Sequence, residues 1–525
     1  MGHEEALSFF ASPLHEGGHT AHGHGGHGHG AHDIPMSHHS SEVSNNIEEQ
    51  KNLNGNTDST AVPFNTHDES LHDNPGFHRH AEATTAELFY DLFFVANLTT
   101  FTSLLEINDH NSLTAYIGFF CLLWLTWYQV SLFDVRFSTD SIFERCAKAI
   151  HFGTMVGFAV IGPQWNPGQE IYDYKIYKAF SIILMVSRLT LFLQYAVTLF
   201  FTKKYTKTRV PLLLVMGSCL ISAIIYGALT GAFPHVGDKP VKSNVYIAWY
   251  IIGISETILT VFVSCIWRVI SFKGTHMVQR MSLLSLIILG EGIIVICKAI
   301  SKIVKLDYLW SAAVIGQIIA AILIIYFLYM LYFDRMSEEH FGSIKQQIWS
   351  FLHFPLHTSL VLVLQGVSLL VIWCQAIIGL DSMLLDFGDT VTHYQTLVVD
   401  GTATSGAEFS EALYNVTWGN VFNYVPKGVD ATKEIDAATT ALASIADSFD
   451  LFIASHGTNE TLWVDDIAVQ LADLFSSATK TLFDSFSVSM PKKVAKKENL
   501  GLDEVISTYI NIFKLVFAYV FVAVS

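Results

Sequence analysis

Ionisable side chains set inside apolar stretches carry the chemistry this chain can offer. In Glu87-Leu-Phe-Tyr-Asp91-Leu-Phe-Phe-Val95 two carboxylates stand four residues apart, so on a helix they share one face, a turn apart. The apolar run continues to about Leu105, and roughly 20 such residues cross a bilayer. An ionised carboxylate near the middle of a spanning helix costs about 2.5–3.5 kcal/mol and usually faces a cavity or a partner. His353-Phe-Pro-Leu-His357 repeats the four-residue spacing with two imidazoles. Arg188, Glu256 and Glu291 stand singly in other apolar runs, and Asp134 and Asp334 close two of them. A lipid-shielded site with more acids than bases must bind protons or cations, or hold carboxyls neutral by desolvation. The competing reading makes each acid a structural partner or a hydrated residue near the surface, and His151 fits that reading best.

Ten spans can position these groups, at about 86–106, 113–133, 147–163, 176–201, 210–232, 245–269, 281–301, 308–333, 352–380 and 504–524. Lys and Arg concentrate in the even-numbered loops, at Arg136, Arg145, Lys203, Lys204, Lys207, Arg209, Lys273, Arg335 and Lys345. This bias predicts a cytoplasmic amino terminus and an even number of crossings. Taking depth from the helical rise, Glu87, Asp91, His151, His353 and His357 fall near the cytoplasmic surface. Arg188, Glu256 and Glu291 form a second layer nearer the midplane. Arg188 needs an anion there, and Glu256 or Glu291 can supply it, leaving the other acid over. Gly290 and Gly292 flank Glu291 and let a helix or ligand approach.

The 525 residues are 51% hydrophobic with mean hydropathy +0.40, which places the chain among polytopic helical membrane proteins. The expected fold is an all-α transmembrane bundle with a disordered His-rich amino-terminal tail and a helical non-cytoplasmic insertion. The domains expected are a cytoplasmic tail at 1–80, a membrane domain at 81–380, an insertion at 381–502 and a last span at 503–525. Formal net charge is −17, but the acids sit mainly in the tail and the insertion. No basic patch or nucleic-acid motif appears, so nucleic acid is not an expected partner; the lipid bilayer is, with a small ion or solute. A homo-oligomer is compatible with the sequence. The six cysteines lie in or beside apolar runs without a Cys-x-x-Cys pair, so no disulfide framework is expected.

In the tail, His15, His19, His22, His24, His27, His29 and His32 alternate with glycines. That tract reads either as a weak multi-site ligand for a metal such as zinc or as a soluble tail without a site. Other cofactors are not indicated. Within the insertion, Ile435, Ala438, Leu442, Ile445, Phe449 and Phe452 step by threes and fours, as do Ile467, Leu471, Leu474 and Ala478. With Gly457-Thr-Asn459 between them, the pattern predicts an antiparallel helical hairpin. Asn415 and Asn459 head two glycosylation sequons there, in keeping with an exported segment. A third sequon, at Asn97, falls inside the first span.

Four segments together resemble the low-temperature-requirement protein A family of membrane proteins. They are Glu87 to Val95, Leu289-Gly290-Glu291-Gly292, Tyr332-Phe333-Asp334 and His353 to His357. The order and spacing match over about 80–380 plus the last span, and position 292 departs, since the family usually has Ser there. The resemblance implies a multi-span membrane protein in a eukaryotic, fungal-like version, and brings no settled activity with it.

The expected function is a transporter or channel-like protein moving protons, cations or a small solute through a polar cavity. Its pathway residues would be Glu87, Asp91, Arg188, Glu256, Glu291, Asp334, His353 and His357. In that scheme Asp91 and Glu291 accept protons or cations, Arg188 is their counter-ion or an anion anchor, and the two histidines gate or relay at the cytoplasmic mouth. The alternatives are a membrane-embedded enzyme using the same layer and a non-catalytic scaffold supporting the membrane in the cold. A single His-x-x-x-His box falls short of the several that di-iron desaturases need.

Overall fold

The computed structural model describes residues 7–14, 77, 82–104, 106–234, 239–271, 275–303, 312–336, 343–403, 405–495 and 501–525. Regular structure among them is helical. The helices are α1 (Thr85–Leu104), α2 (His110–Phe137), α3 (Ile142–Ile161), α4 (Lys175–Thr202), α5 (Thr206–Ala232), α6 (Ile247–Ile266) and α7 (Met277–Ile303). They continue with α8 (Ala312–Phe333), α9 (Ser343–Val399), α10 (Gly406–Asn420), α11 (Thr432–Ala454), α12 (Ala468–Ser485) and α13 (Leu502–Val524).

Helix α2 is the axis of the bundle. Its most apolar stretch is 89% buried, against 17% for α8, so one helix is enclosed on all sides while the other leaves its apolar side chains facing outward. A helix that is hydrophobic all round belongs in a core or in lipid, and these two occupy the two environments. Around α2 pack α1, α4, α6, α7 and α9, with α3 against α1 and α4, and α5 along α4. Trp124, Trp127, Tyr128, Leu132 and Phe133 of α2 are fully buried. Their large area and close packing hold the polar side chains of neighbouring helices in fixed positions.

Ten helices among the described residues are long and apolar enough to cross a membrane. That set includes α11 and omits α1, yet packing argues the reverse for both. Helix α11 packs on α10 and α12 in the insertion, whereas α1 lies between α3 and α7 within the bundle. The α1 residues Tyr90, Phe94, Leu98 and Phe101 are buried there. Counting α1 to α9 and α13 gives the ten spans that the apolar pattern predicts.

Two boundaries differ from the sequence expectation. Helix α7 starts at Met277, four residues before the apolar run at 281, which brings Arg280 into the bundle. Helix α9 is a single 57-residue helix and not a span of 352–380. Pro355 therefore lies twelve residues inside it instead of in its first turn, where the missing N–H removes one intrahelical bond.

In the insertion, α11 and α12 form the expected hairpin. The chain turns through His456 and Gly457, both at positive φ (50° and 72°). Ala438, Ile445 and Phe449 of α11 meet Leu474 and Ala478 of α12 in its core, and α10 adds Phe409 and Leu413.

Candidate functional site

Two helices bring matched pairs of polar residues together at the α1 and α7 starts. Glu87 is first a cap. Thr84 N and Oγ1 donate to Glu87 Oε2 at 2.7 and 3.0 Å, and Glu87 N donates to Thr84 Oγ1 at 3.4 Å. This Thr-x-x-Glu box satisfies free N–H groups at the helix start. The same carboxylate accepts from His276 Nε2 at 3.1 Å and lies 3.7 Å from Arg280 Nη1. One turn on, Asp91 Oδ1 accepts from Arg280 Nη2 and from Trp127 Nε1, each at 2.7 Å. His276 and Arg280, four residues apart, thus face Glu87 and Asp91, also four apart, across a parallel helix pair.

Asp134 joins from α2, seven residues beyond Trp127 and so on the same face. Its Oδ2 lies 3.5 Å from Arg280 Nη1, and its Oδ1 lies 2.9 Å from Lys148 Nζ of α3. Arg280 is fully buried, and its guanidinium sits 5.4 Å from the Trp127 ring centroid. Three carboxylates against one arginine and one lysine leave one negative charge. The His276 imidazole is a further basic side chain in contact with the cluster.

The histidine pair lies on α9 behind α2. Trp124 Nε1 donates to His357 Nδ1 at 3.0 Å, and His357 Nε2 stands 2.8 Å from Ser285 Oγ. An indole N–H can only donate, so Nδ1 accepts and neutral His357 carries its proton on Nε2, donating it to Ser285. The Ser285 hydroxyl in turn donates a hydrogen bond to the Met281 carbonyl at 3.0 Å. His353 has the opposite tautomer: Nδ1 donates to the Trp349 carbonyl and Nε2 accepts from the Tyr332 hydroxyl, both at 2.9 Å. The two rings are 5.3 Å apart. His353, Tyr332 and Ser285 line a cavity of about 400 Å³ with Leu331, Leu352, Leu356 and Arg335.

The midplane residues separate into a pair and a single acid. Arg188 Nε donates to Glu256 Oε2 at 2.6 Å, with both side chains buried. Arg188 is thus the counter-ion of Glu256, and Asp91 takes Arg280 in its place. Glu291 is the acid left over. Its Oε2 accepts from the Thr99 hydroxyl, and its Oε1 is buried without a partner among the described residues. Beside it is a void of about 10 Å³, also lined by Gln365, whose Oε1 likewise lacks a donor. That volume is about one water molecule. Lys298, two turns further along α7, is exposed. Gly292 contributes by absence: a Cβ there would stand 2.5 Å from Leu364 Cδ2, so the residue that departs from the family pattern lets α9 pack close to Glu291. Gly290 faces open space.

Asp334 does not join these groups; it is exposed just after α8. His151 donates through Nε2 to Gln194 Oε1 at 2.9 Å, and Gln194 Nε2 donates to Glu144 at 2.8 Å, a buried line that only its histidine announced in sequence. His15, His19, His22, His24, His27, His29 and His32 lie outside the described residues. Among the described residues no group of three His, Cys, Asp or Glu side chains is placed to hold a metal ion. Asn415 and Asn459 are exposed. Asn97 is buried, its amide donating to the Phe93 and Met155 carbonyls at 2.8 and 2.9 Å.

Sequence reasoning missed Arg280, His276 and Lys148 as partners. Arg280 carried a signal, an arginine at the edge of an apolar run, but an edge placed four residues late left it in a loop. Trp124 and Trp127 gave no signal beyond apolar bulk.

No curated protein and no solved structure matches this chain. The family described as "Bacterial low temperature requirement A protein (LtrA)" matches residues 82–382, a stretch that contains every polar group of the bundle described above. The chain is an integral membrane protein and belongs to the low temperature requirement A family.

Proposed function

We propose that the protein moves protons or small cations across the membrane, with buried carboxylates as acceptors. Glu291 is the observation that carries the reading: among the described residues this buried acid has no ion-pair partner, Lys298 acting on it only electrostatically, and one of its oxygens is unsatisfied beside a water-sized void that a second unsatisfied oxygen also lines. A group so placed takes up a proton or a cation, because an isolated buried charge is expensive. The Glu87–Asp91–Asp134 cluster, one positive charge short, is a second station at the mouth of α1 and α7, with the His276 ring hydrogen-bonded to Glu87. Arg188 and Glu256 neutralise each other and fix the register of α4 and α6. His353, which lines the 400 Å³ cavity, suits a relay better than His357, which does not line it.

Protein reconstituted in vesicles should show a pH- or cation-driven flux that Glu291→Gln abolishes. A wild-type flux in that variant removes Glu291 from the mechanism. Asp91→Asn should slow the flux without abolishing it, since the cluster keeps two acids.

One observation favours a second reading, an enzyme acting on a lipid: the apolar cavity over His353 and Tyr332. Ser285 is a poor nucleophile there, because His357 donates to it instead of accepting its proton. Turnover of bilayer lipid by purified protein, lost in His353→Ala, would favour this reading over transport.

The amino terminus is assigned to the cytoplasm and residues 381–502 to the outside or lumen, which puts exposed Asn415 and Asn459 within reach of glycosylation. Protein made in a eukaryotic host should run with a glycosidase-sensitive shift that disappears in Asn415→Gln/Asn459→Gln. An unshifted wild type reverses the assignment.

A further inference from the structure

A cavity of about 910 Å³ lies where the insertion meets the membrane bundle, sharing no lining residue with the Glu291 void or the Arg280 cluster. Its acids come from separate elements: Glu106 from the α1–α2 connection, Asp430 and Glu434 from the start of α11, and Asp484 from the end of α12. Among the described residues Lys433 and Lys480 share the lining, so carboxylates there outnumber ammonium groups four to two. Tyr509 of α13 also lines the cavity. It is 2% exposed, and its hydroxyl has no partner among the described residues. Its ring is held by Phe483, stacked at 3.9 Å, so the hydroxyl cannot swing away to find one. Glu106, Glu434 and Asp484 all act electrostatically on that hydroxyl.

The described lysines of the lining do not balance these acids. Burial, then Glu434 and Glu106, push the Asp484 carboxyl up to about 7, despite Lys480 and a hydrogen bond from Ser489. The chemistry of an occupant follows from spacing and volume. No group of three acids among the described residues is close enough to hold one metal ion, so the charges are too dispersed for a single small cation. An elongated ligand with several separated ammonium groups meets dispersed carboxylates one by one, and Val429 and Met490 on the same wall can take its methylenes.

We propose that this cavity binds an aliphatic polyamine, its ammonium groups on Glu106, Glu434 and Asp484, with the Tyr509 hydroxyl oxygen accepting from one of them. The site stands apart from the transport reading and does not depend on it.

Titration calorimetry on the full chain in nanodiscs, with spermidine as probe, tests it. Wild type and Glu291→Gln should bind spermidine equally at pH 8, and Mg²⁺ should not displace it at equal concentration. Glu434→Gln and Asp484→Asn should each weaken binding about tenfold or more, the usual effect of losing one charge-assisted hydrogen bond. Lys480→Gln should tighten it, a gain that a misfolded protein cannot show. Lowering the pH to 6 should weaken wild-type binding as Asp484 takes up its proton, and should leave Asp484→Asn nearly unchanged. Absence of spermidine binding at pH 8, equal affinity in Asp484→Asn, or full displacement by Mg²⁺ would each overturn the assignment.

Discussion

Arg280 illustrates what one residue contributes in a lipid-shielded interior. It faces Glu87, Asp91 and Asp134 at 3.7, 2.7 and 3.5 Å, while its Nε and Nη1 lack hydrogen bonds among the described residues. Replacing such a pair with apolar residues can be neutral, but removing one partner strands the others and typically costs about 3–5 kcal/mol. Arg280→Gln should therefore lower the melting temperature of the detergent-solubilised protein sharply, and adding Asp91→Asn should recover part of the loss. A melting curve unchanged in the single variant would show that the carboxylates are already neutral. Glu87 teaches a related lesson. Read alone, an acid in an apolar run suggests transport, but Thr84 three residues earlier identifies it also as a helix cap. Thr84→Ala should lose about 1 kcal/mol.

At the scale of elements, each of the ten apolar runs coincides with a helix, because burial in lipid and burial in protein both favour apolar helix. Edges were less legible. Composition marks where apolar residues begin, whereas a helix begins where N–H groups are capped, as at Thr84, or where charged residues find buried partners, as at Arg280. Which acid met which base depended on packing of helices hundreds of residues apart, so Arg188 could be given an anion from sequence but not told which. The close approach of α7 and α9 gives an element-scale prediction. Gly292→Ala would press a methyl against Leu364 and should destabilise by roughly 1–3 kcal/mol, with Leu364→Ala in the same chain restoring much of it. Thermal unfolding of the two variants checks this, and the Glu291 void should report the same strain as altered flux.

For the molecule as a whole, the insertion adds a pH dependence that the bundle does not explain. Asp484, outside the spans, has its carboxyl raised to about 7, above its unfolded value of about 3.9. Between those values the folded form holds a proton the unfolded form lacks, so stability falls as pH rises through the window and levels off above it. Hydrogen-exchange protection factors at the α12–α13 contact, corrected for the intrinsic pH dependence of amide exchange, should accordingly be higher at pH 5 than at pH 8, and Asp484→Asn should shrink the difference.

Helix α9 ties the molecule's two ends into one lever. With 57 residues it is about 85 Å long, and it carries the imidazole pair near one end and the root of the insertion at the other. Pro355, inside it, leaves one rung of the backbone ladder unmade, the natural pivot. A tilt of about 5° there would sweep Val399 through roughly 6 Å. Any displacement at the imidazole pair would thus be carried along one continuous helix to the root of the insertion.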